Sequence, residues 1–282
     1  MRLQKYQIRS YAELTGPENS QQTHVELLDA LREGTSLEDI RVVSDARGEV
    51  LAAIRLHPVG PRQWMVDISG AKPGAHRMIN HLFEEAALRA DKLGRDLLTL
   101  VPNEWMDVPL AMALEAAGFR HFGRRMTWRA SLEELPHPKL PRRLEWSLVS
   151  DSDAFKLFDR AAVGDPWAPR GRAWAQWLLS SEMVSEIWTG SLSGQDAACC
   201  CAQVLPDSGW GRIAYMGVFR EVRGLGLGRL VHHFGLQRLR ALGGRTWEGG
   251  TGEKNIPMRR ILEGLHLGPP SILAEWRRPW AE

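Results

Sequence analysis

Cysteine is scarce in this chain and placed where it cannot cross-link: the only three, Cys199, Cys200 and Cys201, are consecutive. A disulfide framework and a structural zinc site both need spaced, paired cysteines, so both are excluded and no metal is expected. Long apolar runs are missing too. Nothing approaches the ~20 residues that span a bilayer, and the opening MRLQKYQIRSYAELTG holds no apolar stretch of signal-peptide length. The expectation is a cytoplasmic protein without a membrane partner. Excess charge of one sign is also absent: 36 Lys and Arg balance 34 Asp and Glu for a net +2, which argues against a general nucleic-acid binder. With 44% hydrophobic and 25% charged residues, disorder, collagen and coiled coil are excluded. Tryptophan, by contrast, is plentiful at twelve, and so much apolar surface needs burial.

The 282 residues suit two modest domains. SLEELPHPKLPR, from Ser131 to Arg142, carries three prolines and no helical or strand period, and it reads as a linker. Domains of 1–130 and 143–282 follow, separated by 131–142. The halves repeat one order of elements. Strand, turn, strand, turn, strand is read in RVVSDARGEVLAAIRLHPVGPRQWMVDISG and again in EIWTGSLSGQDAACCCAQVLPDSGWGRIAYMGVF, with Gly48 and Gly194 at equivalent turns. An amphipathic helix comes next, its stripe formed by Ile79, Leu82, Phe83, Ala86, Ala90 and Leu93 in one half and Leu227, Leu230, Val231 and Phe234 in the other. A short strand, a second helix and a closing strand complete each half, the closers being RHFGRRMTWRA and SILAEWR. The fold class expected is α+β in two tandem copies, each a mixed, mostly antiparallel sheet flanked by helices.

Chemistry concentrates at the junction Tyr215-Met-Gly-Val-Phe-Arg-Glu-Val-Arg-Gly-Leu-Gly-Leu-Gly-Arg229. An apolar strand runs through glycines into a helix whose first amides have no intrahelical partner and whose dipole adds positive charge. Glycines at 224, 226 and 228 allow a phosphate or pyrophosphate to approach the backbone. A dinucleotide fingerprint fits poorly, since Arg229 and Val231 stand where a third glycine belongs, and the GxxxxGK[ST] spacing is absent. A nucleotide-dependent oxidoreductase is therefore disfavoured. Between residues 210 and 260, ten basic residues face three acidic ones, a field that attracts a polyanion.

Arg223-x-x-Gly226-x-Gly228 after a strand, followed by Thr251-x-x-x-Asn255-x-x-Met258 and a helix, resembles the acyl-CoA motif of the GNAT superfamily of N-acetyltransferases. The likeness spans most of 143–282. It implies acetyl-CoA as cosubstrate, its pyrophosphate held by the amides of Arg223, Gly224, Leu225, Gly226, Leu227 and Gly228, with Arg229 beside them. It implies that the edge formed by Met216, Gly217 and Val218 pairs with the pantetheine arm, and that Asn255 touches that arm. The first half carries the pattern in worn form: Ala71, Gly74 and His76 stand at the positions of Arg223, Gly226 and Gly228, so that half is expected not to bind CoA.

Acetyl transfer to an amine requires a polarised carbonyl, loss of an amine proton and protonation of the leaving thiolate. The Val218 N–H, or a neighbour's, is the donor expected for the carbonyl. The family's usual helix tyrosine is replaced by Leu262 and its closing Gly-Phe by His266-Leu267, so the acid is unassigned. Tyr215 is a candidate, and Glu248 is the best candidate base. His232 and His233 are expected on different sides of their helix, and the cysteines as core residues. Trp174 and Trp177, ahead of Trp188, share a helical face and are expected in the core; with Arg170 and Arg172 they are also candidates for the wall of a pocket for a carboxylate-bearing or aromatic acceptor. The acceptor is a small-molecule or peptide amine, and the sequence sets no oligomeric state. The expectation is an N-acetyltransferase working by direct attack of the amine, the alternative a non-catalytic acyl-CoA-binding or regulatory module.

Overall fold

A computed structural model describes residues 2–4, 7–14, 39–72, 78–135, 143–166, 168, 172–180 and 183–280. They form two units, Met1–Arg124 with Ile272–Glu282, and Arg125–Ser271.

In the first unit, helix α1 (Ile8–Leu14) precedes strands β1 (Ile40–Ser44), β2 (Val50–Pro58) and β3 (Gln63–Ala71). Helix α2 (Ile79–Leu93), strand β4 (Asp96–Pro102) and helix α3 (Val108–Ala116) follow. The three-strand meander is antiparallel, and β3 then runs parallel to β4. Asp107 caps α3 by accepting from the Leu110 amide, with Pro109 in the first turn, a helix start that the Asp-x-Pro sequence dictates. Ile54, Leu56, Val66, Leu97 and Val101 of the sheet meet Ile79, Leu82, Phe83 and Ala86 of α2 and Leu110 and Leu114 of α3. Each such side chain contributes about 1.5–3 kcal/mol when fully buried. Leu93, expected in the α2 stripe, is instead exposed in the last turn.

The second unit holds the rest of β5 (Arg120–Ser131), then β6 (Glu145–Leu148), α4 (Asp151–Ala162), α5 (Arg172–Leu179), β7 (Val184–Leu192), β8 (Gln195–Leu205) and β9 (Trp210–Val218). Helix α6 (Leu227–Ala241), strand β10 (Thr246–Gly252) and helix α7 (Ile256–Glu263) complete it. Its strands lie in the order β5-β10-β9-β8-β7-β6. Residues Ala197 to Val204 of β8 are all buried, because both faces of this central strand are covered. That is why AACCCAQV reads as an apolar run broken only by Gln203. Cys199 and Cys201 pack with Phe158, Ala161 and Leu178 of α4 and α5, whereas Cys200 packs with Leu230, Val231 and Phe234 of α6.

The closing strands depart from expectation. β11 (Ser271–Arg278) does not complete the second half. It pairs antiparallel with β4, Leu273 opposite Pro102 through Arg278 opposite Leu97. Its Ala274 and Trp276 enter the first unit's core, and Arg278 grips the Asp91 carboxylate with two bonds of 2.8 Å. Conversely, β5 pairs with β10, Ser131 opposite Thr246 through Arg125 opposite Gly252. Each copy thus takes its last strand from the other half of the chain. Alternation specifies a strand's inward face but not which of two similar edges it joins. The linker also begins later than expected: Leu132 and Leu135 are buried in the second unit, where the Arg240 guanidinium bonds both their carbonyls. Residues 136–142 lie outside the described residues.

Candidate functional site

β9 and β10 are parallel but paired only where Trp210 meets Thr246 and Gly211 meets Trp247. Beyond that point they part. The β8–β9 register slips between Cys201 and Ala202, so that Ala214 is an extra residue in β9, and such a bulge bends the strand that carries it. On the other side of the gap β10 reads Gly249-Gly250-Thr251-Gly252, almost without side chains to fill it. Phe219 donates its N–H to Ala197 of β8. Peptide groups alternate edges along a strand, so the N–H groups of Met216 and Val218 face the gap. A polar molecule could pair with them as a strand would.

The gap ends at the glycine turn. A short 3₁₀ turn, Arg220–Val222, leads to Gly224 at φ 85° and Gly226 at φ 75°, left-handed values that favour glycine. Gly226 is the N-cap of α6 and supplies no side-chain bond to its first turn. A Cβ built on Gly224 or on Gly226 would meet nothing within 4 Å, so the backbone there faces open space. Arg220, in the 3₁₀ turn, and Arg229, in the first turn of α6, are both exposed. Other basic residues of the stretch are tied into the fold: Arg238 pairs with Glu186, and Arg245 donates to the Asp207 carbonyl.

Several residues singled out from the sequence take roles other than ligand contact. Gly228 does not open the cradle. Its Cβ would lie 3.0 Å from Ile261 Cδ1, so it lets α7 approach α6. Gly217 faces α4, where a Cβ would fall 2.5 Å from that of Ala161, and its edge is turned to β8. The Arg223 guanidinium donates to the Val218 carbonyl at 2.9 Å and to the Ala161 carbonyl at 2.8 Å, bracing the turn against β9 and α4. Leu227 is buried among the α6 contacts and Leu225 is about half exposed. Arg229 lies against Gly264 at the end of α7. Asn255 caps α7, its Oδ1 accepting from the Met258 amide at 3.3 Å, which leaves only its NH₂ for a ligand.

Tyr215 is packing. It is buried against Phe158 and Trp174, with ring centroids 4.8 and 5.5 Å away, and its hydroxyl donates to the Phe158 carbonyl at 3.2 Å. Burial pushes its phenol well above the usual value, so the proton stays where it is. Glu248 is half-buried on β10 and accepts from the Trp210 indole at 3.4 Å. Its strand neighbour Trp247 points to the other face, among Leu236, Leu239 and Leu262. The cysteines are free and buried, with Cys201 pushed up to about 12 by desolvation; none is a nucleophile. His232 is buried edge-on to Trp247 and desolvation holds it down to about 3, whereas His233 is partly exposed. Trp174 and Trp177 join the α4–α5 cluster, but Trp188 lies on the α6 side, under Arg238. Arg172 lies over the Phe155 ring, and Arg170 falls outside the described residues, as do Gly74 and His76.

No family model matches the chain and no curated protein does. Solved structures do. A GCN5-related N-acetyltransferase from Sphaerobacter thermophilus is similar over 100% of this chain and 95% of its own, with TM-score 0.69 and 15% identity. A tandem GNAT protein from the clavulanic acid biosynthesis pathway covers 92% of this chain and 88% of its own, with TM-score 0.59 and 20% identity. A GCN5-related N-acetyltransferase from Kribbella flavida covers 91% and 95%, with TM-score 0.56 and 16% identity. The chain has the fold of the GCN5-related N-acetyltransferases, in the tandem arrangement expected from its repeat.

Sequence reasoning missed the bulge at Ala214, the Trp210–Glu248 bond and the Arg212–Gln203 pair opposite it in β8. The glycines of β10 were a legible signal, because glycine inside a strand marks close backbone approach.

Proposed function

We propose that the second unit is an acetyl-CoA-dependent N-acetyltransferase in which an amine attacks the thioester directly. The observation that carries this is the open edge of β9 running into a glycine turn with unfilled space beside Gly224 and Gly226. Gly224 and Gly226 fit a pyrophosphate, since a side chain at either would occupy the volume a phosphate needs. The gap fits a pantetheine arm, whose amides match the Met216 peptide group and the Val218 N–H, the Val218 carbonyl being held by Arg223. Bound acetyl-CoA supplies an activated acyl group as its thioester.

The chain's own residues then have three tasks. An N–H of β9 in the gap polarises the carbonyl oxygen, as an oxyanion hole does. Glu248 takes the ammonium proton, directly or through water. The amine nitrogen forms the amide bond as the carbon–sulfur bond breaks, and the thiolate takes a proton to leave as free thiol. Leu262 is buried where the family's tyrosine stands and the Tyr215 hydroxyl is committed to Phe158, so that last proton comes from solvent. The missing acid also favours the second reading, a module that binds acyl-CoA without turning it over.

Acetyl-CoA should raise the melting temperature, because a ligand bound only by the folded state stabilises it. Thiol release in the presence of amines should follow, and Glu248→Gln should cut kcat/KM about 100-fold with the thermal shift retained. A shift without thiol release across a broad amine panel selects the binding module, and no shift at millimolar ligand rejects both.

A further inference from the structure

Arg212 occupies an unusual position. It lies on β9 directly opposite Gln203 of β8, and its Nε and Nη2 both donate to Gln203 Oε1, at 3.1 and 2.9 Å. Gln203 is wholly buried and fixed in turn by donating to the Leu178 carbonyl at 3.0 Å and to the Ser185 hydroxyl at 2.9 Å. The guanidinium is therefore held on the α5 side of the sheet by a neutral amide. Among the described residues no carboxylate pairs with it. Partial burial lowers its pKa from the usual arginine value, yet an arginine remains charged at any physiological pH. A cation partly removed from water and given only a neutral acceptor lacks the partner that ordinarily repays its desolvation.

The neighbours point to what supplies that partner. The Arg212 guanidinium is 5.8 Å from the Trp210 ring centre, and the same indole donates to Glu248 at 3.4 Å. Trp210 thus stands between an unpaired cation and the proposed base. Arg212, Trp210 and Glu248 are each only partly buried, so solvent reaches all three. Arg212 lies two residues before the bulge at Ala214 where the gap opens, roughly 7 Å along the strand at about 3.3 Å per residue. Gln203 uses the Nε and Nη2 of Arg212 and leaves the Nη1 edge for an anionic group.

We infer that the acceptor is an amine that also bears a carboxylate, its amine near Glu248 and its carboxylate on Arg212, with Trp210 as the floor between them. This rests on the N-acetyltransferase reading above and narrows its acceptor to amino-acid-like molecules. Arg212 acts as a specificity residue and takes no part in acyl transfer.

The test uses the full chain with acetyl-CoA, a thiol-release readout, and amino acids from glycine to 5-aminopentanoate, each against the alkylamine of equal length. The wild type should prefer the best amino acid over its alkylamine by about 10- to 100-fold in kcat/KM, the range expected for a hydrogen-bonded charge. Arg212→Gln should erase that preference while leaving alkylamine turnover and the acetyl-CoA thermal shift within about 2-fold of wild type; Arg212→Lys, which keeps the charge without the fork, should restore part of it. Equal rates for the two acceptor classes in the wild type, no turnover of any amino acid, or an equal loss for both classes in Arg212→Gln would each overturn the assignment. The thermal shift separates the failures: acetyl-CoA that binds while the preference is absent leaves the cofactor reading standing, and acetyl-CoA that does not bind removes both.

Discussion

The two units repeat one architecture, and they differ most where their parallel strands diverge. Counting from the first parallel pair, Gln63 with Asp96 in one unit and Trp210 with Thr246 in the other, Thr99 stands where Gly249 does and Leu98 where Glu248 does. The Thr99 hydroxyl donates to the Val66 carbonyl at 2.8 Å, so in the first unit a side chain bonds the strand edge that the second unit leaves open. The far end of β3 is covered on a face by α1: the Leu14 carbonyl lies 2.6 Å from where a Cβ on Gly70 would be, and the Tyr11 hydroxyl reaches Ser69. The two copies of the fold thus differ in which peptide groups of the third meander strand are already satisfied.

The largest effect should come from copying the first unit into the second. Gly249→Thr places a Cβ 2.2 Å from Trp247 Cζ2. It should abolish the acetyl-CoA thermal shift and lower stability by about 2–3 kcal/mol in urea unfolding, the usual cost of overpacking. A variant that still bound acetyl-CoA normally would break the comparison. Next comes Gly226→Asp, which puts a carboxylate into the cradle at a left-handed φ of 75°. Calorimetry should show acetyl-CoA binding weakened about 30-fold or more, by charge repulsion together with lost backbone access. Smaller is Thr99→Val, which leaves the buried Val66 carbonyl without its donor and should cost about 1–2 kcal/mol with acetyl-CoA affinity unchanged. Lost affinity there would mean that the first unit takes part in binding.

Smallest near neutrality is a pH effect confined to the second unit. His232 is neutral in the folded state down to about 3, against 6.5 when unfolded. Above pH 6.5 neither state carries the proton and stability is unaffected. As pH falls below 6.5 the unfolded state gains a proton that the folded state refuses, so stability drops by up to about 1.4 kcal/mol per pH unit. His232→Leu should flatten that acid limb in urea melts at pH 4–7.

Much of this was readable beforehand because it rests on local chemistry. The meanders follow turn glycines and strand patterning, and α6 follows its apolar stripe, whereas Asn255, expected at the cofactor arm, proves to cap α7. The site was legible less evenly. The turn's position was plain from its glycines, but Gly224 and Gly226 face space whereas Gly228 and Gly217 admit neighbouring helices, a distinction that depends on what packs against them. Tyr215 looked like a candidate acid because a strand tyrosine faces one of two sides, and only the position of Phe158 decides which. Arg212 was invisible for the opposite reason: one arginine among ten bases is ordinary until its partner proves to be a neutral glutamine.

The crossed closing strands carry a consequence for the chain's ancestry and handling. Deletion of the first half would strip β10 of its neighbour β5, while a stop codon after residue 142 would leave β4 without β11. Neither half is an excisable module, so selection acting on one half holds the other in place.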